Sequence, residues 1–190
     1  MSARWIPNAL SVLRILLAGP VAFTLIRGDY PLTLALFAVA ALSDALDGWL
    51  ATTFNWTSRL GKILDPIADK LLLVTVIVTL VVLGLVPLWF ALVAVLRDVV
   101  IVGGAMAYHF LIGYVEGRPT TVSKLNTLVQ LSFVLLVIAA AAWPAAVPRA
   151  LVVAVGAGAF VTTVVSGIDY VLTYARLAWR ESRRATAAPR

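Results

Sequence analysis

The chain has 190 residues, 62% of them hydrophobic and 13% charged, with a formal net charge of +6 and a mean hydropathy of +1.01. Soluble domains carry roughly 45–50% apolar residues, so a soluble globular protein is excluded, and the absence of cysteine excludes disulfides and thiolate metal sites. Its apolar runs reach the length of about 20 residues that a helix needs to cross a bilayer, and the sequence predicts an all-α membrane protein.

The chain begins MSARWIPNALSVLR. This stretch has charge but no small-residue cleavage site behind a short apolar core, so no cleaved signal peptide is expected. Trp5 and Pro7 suit a short N-terminal interfacial helix, because Trp prefers the headgroup level. Six transmembrane helices are predicted at 8–27, 31–52, 62–84, 87–113, 122–143 and 147–174, followed by a basic tail over about 176–190. The connections are short, which predicts one bundle and a single domain over residues 1–190.

Inside the fourth span lie Arg97 and Asp98, where charges are costly and face a cavity or a partner. A structural pair and a substrate contact both fit. His109, the single histidine, reads as an interfacial side chain in preference to a ligand. Lys and Arg gather on one side of the predicted topology: Arg59 and Lys62, Arg118 and Lys124, then Arg176, Arg180, Arg183, Arg184 and Arg190. Only Arg27 and Arg149 fall on the other, so the positive-inside rule puts both termini in the cytoplasm. The arginine-rich tail suits anionic lipid; it lacks the interleaved aromatics that would argue for nucleic acid, and no nucleic-acid partner is expected.

Chemistry concentrates in SDALDGWLATTFNWTSRLGKILDPIADK, where four carboxylates stand in an otherwise apolar chain. On a helix Asp44, Asp47, Gly48 and Ala51 fall at i, i+3, i+4 and i+7, so two acids share a face with two small residues. Asp65 and Asp69 repeat the pairing at i, i+4 on the next helix. Asp65 also precedes Pro66 and could cap a helix whose first residue is Pro66. Oxygen ligands without His or Cys suit a hard cation, Mg2+ or Mn2+, which is commonly recruited to phosphate substrates. Asp44, Asp47, Asp65 and Asp69 are therefore the candidate metal ligands, and the topology puts all four at the cytoplasmic face. Intramembrane acids also mark ion pathways, but an ion-coupled transporter predicts acids near the midplane and repeated halves, and neither pattern is present.

The spacing resembles the signature of the CDP-alcohol phosphatidyltransferases: Asp, two residues, Asp-Gly, two residues, Ala-Arg, eight residues, Gly, three, Asp, three, Asp. Asp44, Asp47, Gly48, Ala51, Gly61, Asp65 and Asp69 match in register. Thr52 departs from the pattern where the family has Arg, and Arg59 or Lys62 in the same loop could supply that charge. The resemblance implies transfer of a phosphatidyl group from CDP-diacylglycerol with two metal ions at the pyrophosphate. It implies Asp69 as the base, and Asp44, Gly48, Ala51, Arg59, Gly61, Lys62 and Asp65 around the nucleotide, the small residues leaving room for cytidine.

A second cluster, RPTTVSKLNTLVQ, carries Arg118, Lys124 and Asn126 as candidate acceptor contacts. Its Ser-Lys-Leu-Asn-Thr run and the Arg97-Asp98 pair resemble the cardiolipin synthase branch of the family more than the phosphatidylglycerophosphate synthase branch, whereas PNALSVLRILLAGP, with Asn8, Ser11, Arg14 and Pro20, is common to both. The acceptor implied is phosphatidylglycerol, with glycerol 3-phosphate as the alternative. Family analogy implies a homodimer, and a bacterial inner membrane is expected.

Overall fold

The computed structural model describes residues 6–54, 61–111 and 120–187, with side chains at 6–8, 45, 47–52, 54, 61–66, 105–111, 174 and 177–187 outside the description. The described residues form an all-α, multi-pass protein of helices α1 (Ile6–Ile26), α2 (Tyr30–Phe54), α3 (Gly61–Val82), α4 (Leu88–Leu111), α5 (Thr121–Ala142) and α6 (Arg149–Ala187). Among them three are long and apolar enough to span a membrane, at Ala9–Ile26, Thr121–Ala142 and Arg149–Thr173, against the six spans expected. Helix α2 ends in the acidic motif, α3 opens with it, and α4 holds Arg97 and Asp98. In α2 the described apolar stretch is shorter, Tyr30–Asp44. Trp5 of the expected interfacial helix lies outside the described residues, and Pro7 lies in the first turn of α1, where its missing N–H has no helical partner to lose.

The described structure is taken in two compact units. The first holds residues 1–87 and 131–153. Here α1 packs against α2 and α3 through stripes of three- and four-residue spacing: Ser11, Arg14, Ala18, Val21 and Leu25 on α1, Thr33, Phe37 and Ala40 on α2, and Ala68, Leu72, Val76 and Leu80 on α3, all buried. That is the seam spacing of closely packed helices. The opposite faces expose Leu16, Phe23, Leu42 and Leu71, as a lipid solvent favours.

Glycine sets the turn between α1 and α2. Gly28 has φ of +75°, its N–H donates to Leu25 O at 3.1 Å, and Asp29 N–H reaches Thr24 O at 3.0 Å, the Schellman closure that a left-handed residue permits. Asp29 then caps α2 by accepting the Leu32 N–H at 3.2 Å. Just beyond the turn the buried hydroxyls of Thr24 and Thr33 hydrogen-bond at 2.9 Å and tie the two helices. Gly84, with φ of +71°, closes α3 in the same way through Leu85 N–H to Leu80 O at 2.9 Å.

The second unit holds residues 88–130 and 154–190. Its interior is unusually polar: beside Phe90, Ala91, Ala94 and Ala159 it buries Arg97, Asn126, Gln130, Thr163 and Ser166. Trp89 meets Phe160 edge-on with ring centroids 5.2 Å apart. The helix α6 has 39 residues and runs through the segment expected as a tail, because Ala, Leu and Arg after Thr173 continue a helix well and no Gly or Pro stops it before Pro189.

The turn glycine gives a simple test. Gly28→Ala is expected to lower stability by about 1 kcal/mol, the cost of a Cβ in the left-handed region. Gly19→Ala, where the new methyl meets nothing within 4 Å, is expected not to lower it; thermal unfolding of the two variants in detergent checks the contrast.

Candidate functional site

The C-terminal half of α2 carries the first acid pair. Because α2 is helical from Tyr30 to Phe54, Asp44, Asp47, Gly48 and Ala51 share one face as their spacing required; of these the side chain of Asp44 is among the described ones. It is met from α1 by Arg14, whose Nη1 donates to Asp44 Oδ1 in an ion pair. The two partners differ in environment: the Arg14 side chain is 0% exposed and that of Asp44 42%. A guanidinium in an apolar interior is costly unless paired and hydrogen-bonded, so this contact accounts for an arginine on the buried stripe of α1.

The second pair lies in the first part of α3. The helix begins at Gly61, four residues before Asp65, so Asp65 sits inside it and the capping reading with Pro66 as first residue does not hold. The side chains of Gly61, Lys62 and Asp65 lie outside the described residues, as do those of Asp47, Gly48, Ala51 and Thr52; Arg59 and Arg118 lie outside them altogether. Asp69 is half-buried on α3. No group of three or more potential ligands forms among the described residues, which include two of the four motif carboxylates. Asp44 fits a hard-cation ligand in its chemistry and access: an oxygen donor, half-exposed at the end of an apolar stretch, with one oxygen held by a fixed partner.

The candidate acceptor residues separate. Lys124 is exposed on α5, whereas Asn126 is fully buried, as two positions about 200° apart on a helix must be. Asn126 Oδ1 accepts from the hydroxyls of Thr162 at 3.0 Å and Thr163 at 2.9 Å, and Gln130 Nε2 donates to Thr163 Oγ1 at 2.9 Å. One turn earlier, Arg97 Nη2 donates to Ser123 Oγ and to Ser166 Oγ at 2.6 Å each, and Nη1 to Asp98 Oδ1 at 2.8 Å. Arg97 and Asp98 thus form a structural pair, and the arginine, 7% exposed, joins α4 to α5 and α6.

A family model for CDP-alcohol phosphatidyltransferase matches residues 4–174. The chain belongs to the CDP-alcohol phosphatidyltransferase family. The match takes in both acid pairs, the Arg14 stripe and the Arg97 clamp. Curated relatives include a probable cardiolipin synthase (CMP-forming) of Drosophila melanogaster, 32% identical over 154 residues that cover 73% of this chain and 48% of that protein. The cardiolipin synthase (CMP-forming) of Homo sapiens is 37% identical over 145 residues, covering 68% and 48%. A CDP-diacylglycerol--glycerol-3-phosphate 3-phosphatidyltransferase of Aquifex aeolicus is 42% identical over 65 residues, covering 34% and 36%. The chain spans about half the length of the first two. Membership of the phosphatidyltransferase family implies a divalent-cation-dependent transfer.

Two groups of residues went unassigned in the sequence. Arg14 stood out only as part of a shared N-terminal segment; its signal was a lone arginine in phase with Ser11, Ala18, Val21 and Leu25. Ser123, Gln130, Thr163 and Ser166 are ordinary span residues until the helices meet. For the clamp, Ser166→Ala removes the acceptor of two Arg97 donors and is expected to cost about 1–2 kcal/mol, the upper part of the range for interhelical hydrogen bonds in membranes. Equilibrium unfolding in detergent, compared with the parent protein, measures the loss.

Proposed function

We propose that this phosphatidyltransferase transfers the phosphatidyl group of CDP-diacylglycerol to a hydroxyl of phosphatidylglycerol, forming cardiolipin and releasing CMP. The observation that carries the reading is the acid motif, in register over its whole spacing and distributed over the end of α2 and the start of α3, in a chain similar to proteins named cardiolipin synthases. The acceptor oxygen bonds to the phosphorus that bears diacylglycerol, the bridging oxygen leaves with CMP, and the proton passes to a base.

Asp44, Asp47, Asp65 and Asp69 would hold two ions of Mg2+ or Mn2+, whose charge offsets that of the pyrophosphate and the departing CMP. Asp69 takes the proton from the acceptor hydroxyl. Gly48, Ala51 and Gly61 leave room for the cytidine, and Arg59 or Lys62 contributes the basic contact that Thr52 lacks. Arg118 and Lys124 meet the acceptor phosphate, while Asn126, engaged with Thr162 and Thr163, sets the face on which α5 presents Lys124. In this reading six helices cross a bacterial inner membrane, the termini and active site face the cytoplasm, and two copies form a homodimer. Glycerol 3-phosphate as acceptor is the second reading, favoured by the similarity to the Aquifex aeolicus enzyme.

Loss of a charged ligand leaves the cations and pyrophosphate out of balance, so Asp47→Asn and Asp65→Asn are expected to abolish CMP release while still yielding folded protein. Undiminished release in excess chelator, or from both variants, would refute the cation mechanism. The acceptor is decided by giving purified protein CDP-diacylglycerol with Mn2+ and either acceptor, then separating the lipids. Cardiolipin is expected with phosphatidylglycerol; phosphatidylglycerophosphate made without any cardiolipin would establish the second reading.

A further inference from the structure

The contact between Arg14 and Asp44 is one of two polar ties described between the side chains of α1 and α2. The other is the Thr24–Thr33 hydroxyl pair next to the Gly28 turn. The ties are separated by ten residues along α1 and eleven along α2, a rise of about 15 Å on each helix, as antiparallel neighbours require. Between them lie the buried Ala18, Val21, Phe37 and Ala40. Packing therefore fixes the height of the Arg14 guanidinium relative to Asp44, and no flexible connection intervenes. Arg14 engages one carboxylate oxygen of a side chain that is otherwise 42% exposed. An aspartate has only two side-chain torsions, so holding Oδ1 also directs Oδ2.

We propose that Arg14 is a positioning residue for Asp44, holding its carboxylate in the orientation that binds the divalent cation; this rests on the cation reading above. Two effects oppose each other. The charge of Arg14 repels a cation, but Asp44 is half-exposed, where water weakens such repulsion. Against it stands the gain from a ligand that needs no reorientation, and removing a hydrogen-bonded partner of a ligating side chain commonly costs about 10–100-fold in metal affinity. Positioning outweighs repulsion.

The test is Mn2+ binding to the purified full chain without substrate, followed by the electron paramagnetic resonance signal of free Mn2+, with thermal unfolding measured in parallel. Arg14→Gln is expected to weaken Mn2+ binding about 10–100-fold. Arg14→Lys keeps the charge on a shorter stem without the planar fork and is expected to fall between Arg14→Gln and the parent. The comparison for general loosening is Arg97→Gln, which is expected to lose thermal stability and keep its Mn2+ affinity. Binding by Arg14→Gln that equals or exceeds the parent's overturns the positioning role while leaving the cation reading intact. An equal loss of affinity in Arg97→Gln also overturns it. Absence of Mn2+ binding by the parent protein overturns both. Should Arg14→Gln fail to fold, Arg14→Lys decides: weaker binding than the parent supports the role, and equal binding refutes it.

Discussion

Hydrocarbon cannot solvate a polar group, so each one carried into the interior of a membrane helix needs a partner from the protein. Two arginines on apolar helices, Arg14 and Arg97, put this demand at its strongest, and each meets a carboxylate: Asp44 from the neighbouring helix for Arg14, and the adjacent Asp98 for Arg97. Much of the arrangement follows from these two pairings. The first joins the buried stripe of α1 to the acid motif of α2. The second draws Ser123 of α5 and Ser166 of α6 onto one guanidinium. Hydrophobic burial does not distinguish one helix partner from another when the solvent is itself apolar; the polar contacts do.

The two units use polarity differently. In the first, the interior is apolar for three turns between the Thr24–Thr33 contact and the Arg14–Asp44 pair, and the ionic contact lies where α2 enters the acid motif. In the second, the polar residues occupy the middle of the interface in consecutive turns: Ser123, Asn126 and Gln130 on α5 opposite Thr162, Thr163 and Ser166 on α6. The hydroxyls there also return to their own backbone, as Thr163 does to Ala159 O at 2.7 Å, which limits how far either side chain can swing. A lattice of this kind makes sliding of α5 against α6 expensive, because any shift breaks several bonds together.

Most helix limits were legible because an apolar run long enough to cross a bilayer is a property of the local sequence, and the predicted spans and the helices agree within about two residues up to the end of α6. The end of α6 was not legible: hydropathy falls after Thr173, yet helix propensity does not, so the apolar run stops before the helix does. The acid motif could be read from spacing alone, since identity and interval carry its chemistry. The roles of Arg14 and of the serines and threonines could not, because a partner 30 or 69 residues away is a property of packing and leaves no mark in the local sequence. Asn126 and Lys124 show the same limit. Neighbours in the sequence looked like one basic-polar site, and the helix turned them to different surroundings.

The length of α6 has a mechanical consequence. Beyond Thr173, the last residue of its described span, the same helix continues for fourteen residues to Ala187, a projection of about 20 Å. A continuous helix resists bending over that distance, so the projection acts as a lever on the part of α6 that bears Thr163 and Ser166. Force applied at its tip, whether from crowding at the bilayer surface or from a neighbouring molecule, is carried as torque to the Arg97 clamp instead of being absorbed in a slack terminal segment.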